Sequence, residues 1–317
     1  MLIKIPRGWE IPERLATPEH VYLNRRKFLG ASAAALGGIA GLLPAGHAWG
    51  RSPFAAVPDL APMKAQRNTR YKVDHPITAE NVSTRFNNYY EFTEVKDQVW
   101  KLAENFQSRP WEIQIKGDVE KPRKFDVDEL IRQMPLEERV YHHRCVEALT
   151  IYVPWIGFPM KKFVEWCAPT SKARFVRMVS FFRPNQAVGQ AKANWYPWPY
   201  FEGLTIEEAT NELALMVVGM YGKSLPPQNG APIRLHTPWK YGYKSIKAIT
   251  LFEFASKKPN TFWNNLVPNE YDFQANVNPN KPHPRWSQAT ERLVETGERI
   301  PTRLYNGYEK YVAYLYK

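Results

Sequence analysis

Three strand-like runs, Leu213 to Tyr221, Pro232 to His236 and Ile246 to Phe254, are cut apart by loops crowded with proline and glycine: Leu225-Pro226-Pro227-Gln228-Asn229-Gly230 and Trp239-Lys240-Tyr241-Gly242-Tyr243. Proline removes a backbone donor and glycine frees φ, so such loops end elements. The chain holds 27 prolines in 317 residues and many aromatics, which suits short elements joined by ordered loops. Upstream, Trp111 to Ile115 alternates as a half-buried strand that Gly117-Asp118 turns back, and Arg174 to Ser180 alternates likewise. Helical signals are few. Asp126 reads as an N-cap with Glu129 three residues on, Thr205 and Glu208 form a capping box, and Phe163, Trp166 and Cys167 share one helical face. Ser287 to Leu293 is expected to open a helix near the C-terminus. Strand-rich with few helices and no internal repeat, the chain predicts a mixed α+β fold.

Asn24-Arg25-Arg26-Lys27-Phe28-Leu29-Gly30 precedes a weakly apolar run from Ala31 to Leu43 and the small-residue exit Pro44-Ala45-Gly46-His47-Ala48. Charged, apolar and small in that order, residues 1–48 read as a secretory leader, and the paired arginines mark the twin-arginine variety. The apolar run is too short and too rich in glycine and alanine for a span of roughly 20 residues. Twin-arginine export carries chains already folded, so a periplasmic location and a cofactor inserted beforehand are expected. Residues 49–80 read as an extended arm and 81–317 as one domain large enough for a sizeable core. The leader takes a net +3 and leaves +9 of the chain's +12. Such a balance favours an anionic substrate, a cofactor phosphate or an anionic membrane surface. Nucleic acid is not an expected partner, because no basic stretch is interleaved with stacking aromatics.

Only two cysteines are present. Cys167 reads as a small buried hydrophobe on its helix face. Cys145 stands in Tyr141-His142-His143-Arg144-Cys145-Val146-Glu147-Ala148. A disulfide between the two is geometrically possible in an exported chain. Arg144 and a histidine could instead lower the Cys145 pKa and make a nucleophile, or a soft thiolate could bind a soft metal. Zinc would need His142 or His143, which face opposite sides of a strand, joined by His236 or His283. No phosphate-binding loop, dinucleotide fingerprint, serine elbow or His-Glu-x-x-His motif is present.

His143-Arg144-Cys145-Val146-Glu147-Ala148 followed by Val153-Pro154-Trp155-Ile156-Gly157-Phe158-Pro159 resembles the molybdenum-cysteine segment of the sulfite-oxidase superfamily. Within it the chain is most similar to the periplasmic protein-methionine-sulfoxide reductase catalytic subunits. The likeness continues through Asn87-Asn88-Tyr89-Tyr90-Glu91-Phe92, Tyr221 to Pro232, Pro238 to Lys247, Asn276 to Pro279 and His283 to Arg292. It implies a single catalytic domain of the sulfite-oxidase type, holding molybdenum on a molybdopterin without a nucleotide extension. Cys145 takes the place of the metal ligand. Asn87, Tyr90, Glu91, Ser180, Asn229, Arg234, Ser245, Ile246 and Lys247 fall at cofactor-contacting positions, with Ser180 keeping a hydroxyl at a position open to threonine. Trp195, Tyr196, Trp198 and Tyr200 are expected at a substrate entrance.

The activity implied is oxygen-atom transfer from methionine sulfoxide in oxidised periplasmic proteins. Electrons would come from a haem-containing membrane subunit (MsrQ in the family), in a heterodimer that draws on the quinone pool. A sulfite dehydrogenase on the same fold and a non-catalytic exported binding protein are the competing readings; no Cys-x-x-Cys-His haem motif favours a self-contained dehydrogenase.

Overall fold

A computed structural model describes residues 60–317. The expected leader, and the arm up to residue 59, lie outside the described residues. The strands are β1 (Gln66–Arg67), β2 (Glu112–Gly117), β3 (Arg123–Asp126), β4 (Glu137–Arg144), β5 (Leu149–Pro159), β6 (Phe175–Ser180), β7 (Phe201–Thr205), β8 (Leu215–Met220), β9 (Lys223–Ser224), β10 (Arg234–His236), β11 (Ile249–Ala255), β12 (Thr290–Leu293) and β13 (Arg299–Pro301). Two sheets result. One runs β3-β2-β11-β6-β7, and the other, of eight strands, is built around the long hairpin β4–β5.

β4 occupies one edge of β5 along its whole length, from Glu137 opposite Gly157 to Arg144 opposite Thr150. The other edge of β5 is shared: β12 pairs with Leu149 and Thr150, and β8 pairs from Trp155 to Pro159. Strands enclosed on both faces carry continuous apolar runs, which accounts for Tyr152 to Phe158 and for β8, buried at every position. Gly157 sits at a register shift where a Cβ would come within 2.1 Å of the Met216 carbonyl oxygen, so only glycine lets β8 approach.

The helix Met160–Cys167 leaves β5 and lays Phe163 on Phe252 of β11, ring centroids 4.4 Å apart, so it bridges the two sheets. β2 alternates as expected, with Ile113 and Ile115 fully buried. Asp126 caps the helix Val127–Gln133 by accepting from the Asp128 amide, and Thr205 and Glu208 complete the capping box of a helix only four residues long. The C-terminal expectation is corrected. Thr290–Leu293 is strand β12, because its residues alternate in burial and Glu291 turns inward to the buried guanidinium of Arg144.

Candidate molybdopterin and active site

Cys145 opens the turn Cys145–Ala148 that joins β4 to β5. Its amide donates to the Leu149 carbonyl (2.8 Å), the Ala148 amide donates to the Cys145 carbonyl (3.1 Å), and Ala148 takes a positive φ of 61°. The turn borders a cavity of about 360 Å³. Of the residues expected at the site, Asn87, Tyr90, Glu91, Cys145, Asn229, Arg234, Ser245, Ile246 and Lys247 all line that cavity. They come from loops far apart in sequence. Gly189 permits one of these approaches, since a Cβ there would lie 2.1 Å from the Tyr90 carbonyl oxygen. Ser180 is the exception. It stands behind the wall, and its hydroxyl donates to the Lys247 and Ala248 carbonyls (2.8 and 3.3 Å), fixing the backbone that carries Lys247.

The inner end of the cavity is rich in unmet polar groups. Arg234 is buried and donates only to the backbone carbonyls of Leu235, Asn229 and Ser245. Lys247 donates to the Asn88 carbonyl at 2.8 Å. Among the described residues neither cation forms an ion pair with a carboxylate. Burial draws the Arg234 guanidinium down to about 10. Burial, with Arg234 nearby, draws Lys247 down to about 7, and burial pushes the Glu91 carboxyl up to about 7. Asn87 and Asn229 both donate Nδ2 to the Ser83 carbonyl (3.1 and 3.0 Å), which leaves both Oδ1 atoms buried and unpartnered. Tyr89 Oη and Trp155 Nε1 are also unpartnered. Buried polar groups are normally satisfied. Two buried cations with no direct ion-pair partner, of which only Lys247 has a carboxylate (Glu91) near it, together with the amides of Asn87 and Asn229, fit a group with an anionic tail and hydrogen-bonding edges. A pterin carrying a phosphate is such a group.

The thiol itself is not poised as a nucleophile. Burial first, then the Glu147 carboxylate, push Cys145 up to about 11. Arg144 does not lower it, because the guanidinium pairs with Glu291 (2.7 Å). Nor do the histidines. His143 Nδ1 lies 3.1 Å from His236 Nε2, and burial holds both rings well below the usual imidazole range, hence neutral. His142 turns to Thr150 and Glu291. Both cysteines are free, with Cys167 buried in the core. The zinc alternative finds no support from position: His236 meets His143, His283 stacks on Trp286, and no metal-holding group of three or more His, Cys, Asp or Glu occurs among the described residues.

Around the sulfur stand groups that the expected site did not include. The Cys145 thiol donates to Glu147 Oε2 (3.5 Å), which pairs with Lys96 Nζ (2.8 Å), and Asn88 Nδ2 lies 4.0 Å from Sγ. Trp263, Tyr271, Tyr243 and Trp286 make an aromatic wall. Tyr196 and Tyr200 line the cavity, whereas Trp198 packs behind on Phe262 and Trp195 stands 67% exposed beside Tyr196. Glu147, Asn88 and Trp286 lie inside the motif blocks and were legible there; Lys96, Trp263 and Tyr271 carry no local signal.

A strand-rich domain with a thiol beside an anion-seeking, donor-seeking cavity defines a class of cofactor-dependent oxidoreductase. Residues 101–263 match the family model described as the oxidoreductase molybdopterin binding domain. Over 315 residues the chain is 42% identical to the protein-methionine-sulfoxide reductase catalytic subunit MsrP of Burkholderia mallei, covering 98% of this chain and 94% of that protein. The chain belongs to this family of molybdopterin-binding oxidoreductases. Among solved structures, the sulfane dehydrogenase SoxCD of Paracoccus pantotrophus is similar at 13% identity with a TM-score of 0.42, over 66% of this chain and 56% of that one.

Proposed function

We propose that the chain is the catalytic subunit of a periplasmic repair enzyme that reduces methionine sulfoxide, free or in oxidised proteins, to methionine. The observation that carries this reading is the convergence of Cys145, Arg234, Lys247, Asn87 and Asn229 on one cavity, in a chain so similar to a named reductase of this activity. When bound, the molybdenum–pterin group supplies two-electron oxygen-atom chemistry at a metal open to substrate.

The protein's own residues do the rest. Cys145 Sγ would ligate the metal and must shed its proton to do so, since the ligand is the thiolate. Asn87 and Asn229 would offer amide groups to the pterin. Arg234 and Lys247 would hold the phosphate through charge-assisted hydrogen bonds, with Ser245 and Ile246 shaping that end. Net turnover takes a sulfoxide, two electrons and two protons to a thioether and water. Glu147 Oε2, bridged to Lys96, is the carboxylate oxygen near the sulfur that can hold one of those protons. The wall of Trp263, Tyr271 and Trp286 excludes water and offers ring edges to a thioether, contacts worth about 0.3–1.5 kcal/mol each.

Electrons arrive, in this reading, from a haem-containing membrane subunit fed by quinone, and the loaded enzyme is exported folded by the twin-arginine route. The cofactor is the simple molybdopterin, without a nucleotide. The exported protein tests all of this. It should carry one molybdenum and one pterin per chain with no releasable guanosine or cytidine nucleotide. It should reduce oxidised proteins with a reduced dye as donor, and co-purify with a haem-bearing membrane protein. Brisk sulfite oxidation without sulfoxide reduction would show a sulfite dehydrogenase instead.

A further inference from the structure

The arginine next to the thiol has a role outside the cavity. Arg144 is fully buried, and its donors are divided among several acceptors. Nε donates to Glu291 Oε2 (2.7 Å), Nη2 to Thr302 Oγ1 (3.2 Å) and the Gln288 carbonyl (3.4 Å), and Nη1 to the carbonyl of Cys145 itself (3.1 Å). Glu291 is 1% exposed, and its other oxygen lies 2.8 Å from His142 Nε2. The next carbonyls of the turn are held by the same distant stretch of chain. Val146 accepts from Trp286 Nε1 (2.9 Å) and Gln288 Nε2 (2.8 Å), and Ala148 accepts from the Arg292 amide (2.8 Å). Within the turn the Cys145 and Ala148 amides bind local carbonyls and the Glu147 amide reaches Cys145 Sγ at 3.5 Å, while Ala148 is held at a positive φ that an alanine disfavours.

We propose that Arg144 and Glu291 are paired positioning residues that fix the Cys145 turn so that Sγ meets its metal in one geometry. Glu291 orients the planar fork, and the fork delivers Nη1 to the Cys145 carbonyl. A buried ion pair of this kind adds little net stability over an apolar pair. Its contribution is orientation, as with other outer-sphere partners of metal ligands. The inference rests on Cys145 being the molybdenum ligand.

The test uses exported, cofactor-loaded enzyme. Arg144→Lys puts a single ammonium where a fork must reach two acceptors at once. Pterin per chain should stay at the wild-type level, while molybdenum is lost to a chelator about 10- to 100-fold faster, the usual weight of such partners. The electron paramagnetic resonance signal of the half-reduced metal should broaden into several overlapping species. Glu291→Gln should move the same readouts in the same direction by less. Metal retention and a spectrum matching wild type in both variants would overturn the inference, as would pterin and metal lost in step. Should either variant fail to fold, Thr302→Val removes one hold on the guanidinium and one on Glu291 and leaves the ion pair itself. A smaller shift of the same spectrum supports the inference, and a spectrum superimposable on wild type defeats it. Wild-type enzyme without molybdenum would defeat the functional reading itself, so the two failures are distinguishable.

Discussion

The two ends of the cavity are built on opposite terms. At the inner end Arg234, Lys247, Asn87 and Asn229 leave charges and acceptors unmet. At the mouth, Trp263, Tyr271 and Trp286 pack against one another and His283, and the Trp286 indole is satisfied by the Val146 carbonyl. The inner end is therefore a poor interior by itself and a good one around a ligand. The mouth is sound either way. The lesson is that sites preorganised for a permanent ligand show themselves as local violations of packing rules, whereas sites for a transient substrate need not.

That contrast can be broken at several points. The largest effect is expected where the two ends meet: Cys145→Ser should drop sulfoxide reduction to background and strip the metal, read by turnover and elemental analysis. At the inner end, Lys247→Met should act with opposite signs. Cofactor retention should fall about 10- to 100-fold, the worth of one or two charge-assisted hydrogen bonds. The cofactor-free chain should melt unchanged or about 2–4 °C higher, since an awkward cation has gone; a marked drop in that melting temperature would show Lys247 to be structural.

The inner end should also respond to pH. Burial brings Lys247 down and Glu91 up, each partly holding the other's charge, so both shed their protons closer to neutral than usual. Both changes make the end less attractive to an anion as pH rises. Sulfate, whose charge is constant here, should bind the cofactor-free chain about 10-fold more weakly at pH 8.5 than at pH 6 by calorimetry, each titration weighing up to a factor of ten per unit. At the mouth, Trp263→Leu should raise KM for oxidised peptides by only about 2- to 10-fold with pterin content unchanged. Smallest of all, Cys167→Ser should leave turnover and metal intact and cost about 1–3 kcal/mol of stability for a hydroxyl in the core, read by denaturant melts.

Much of the fold was legible because its signals are local. Alternation in β2 and β6, the Asp126 cap and the Thr205–Glu208 box all appear where their residues place them. Ser287 to Leu293 failed for a complementary reason. It is short and carries residues at home in a helix, and what makes it a strand is its pairing with β5, some 140 positions earlier, and with β13, beside an ion pair from Glu291 to Arg144. The positions brought to the cavity were legible through whole motif blocks rather than single residues. Ser180 was placed one layer too close, because a hydroxyl that ties down Lys247 cannot be told in sequence from one that touches a ligand. Of the aromatic wall, Tyr243 and Trp286 fall in those blocks, whereas Trp263 and Tyr271 were invisible, being single rings on separate loops.

The shared edge of β5 has a consequence for how the enzyme comes into being. Cys145 is made well before the groups that brace its turn, which span Trp286 to Thr302. The thiol is therefore present long before its support, and its turn cannot be set until Trp286 to Thr302 have folded back. A nascent chain stopped between Ala148 and Trp286 would carry the thiol without the contacts that fix it.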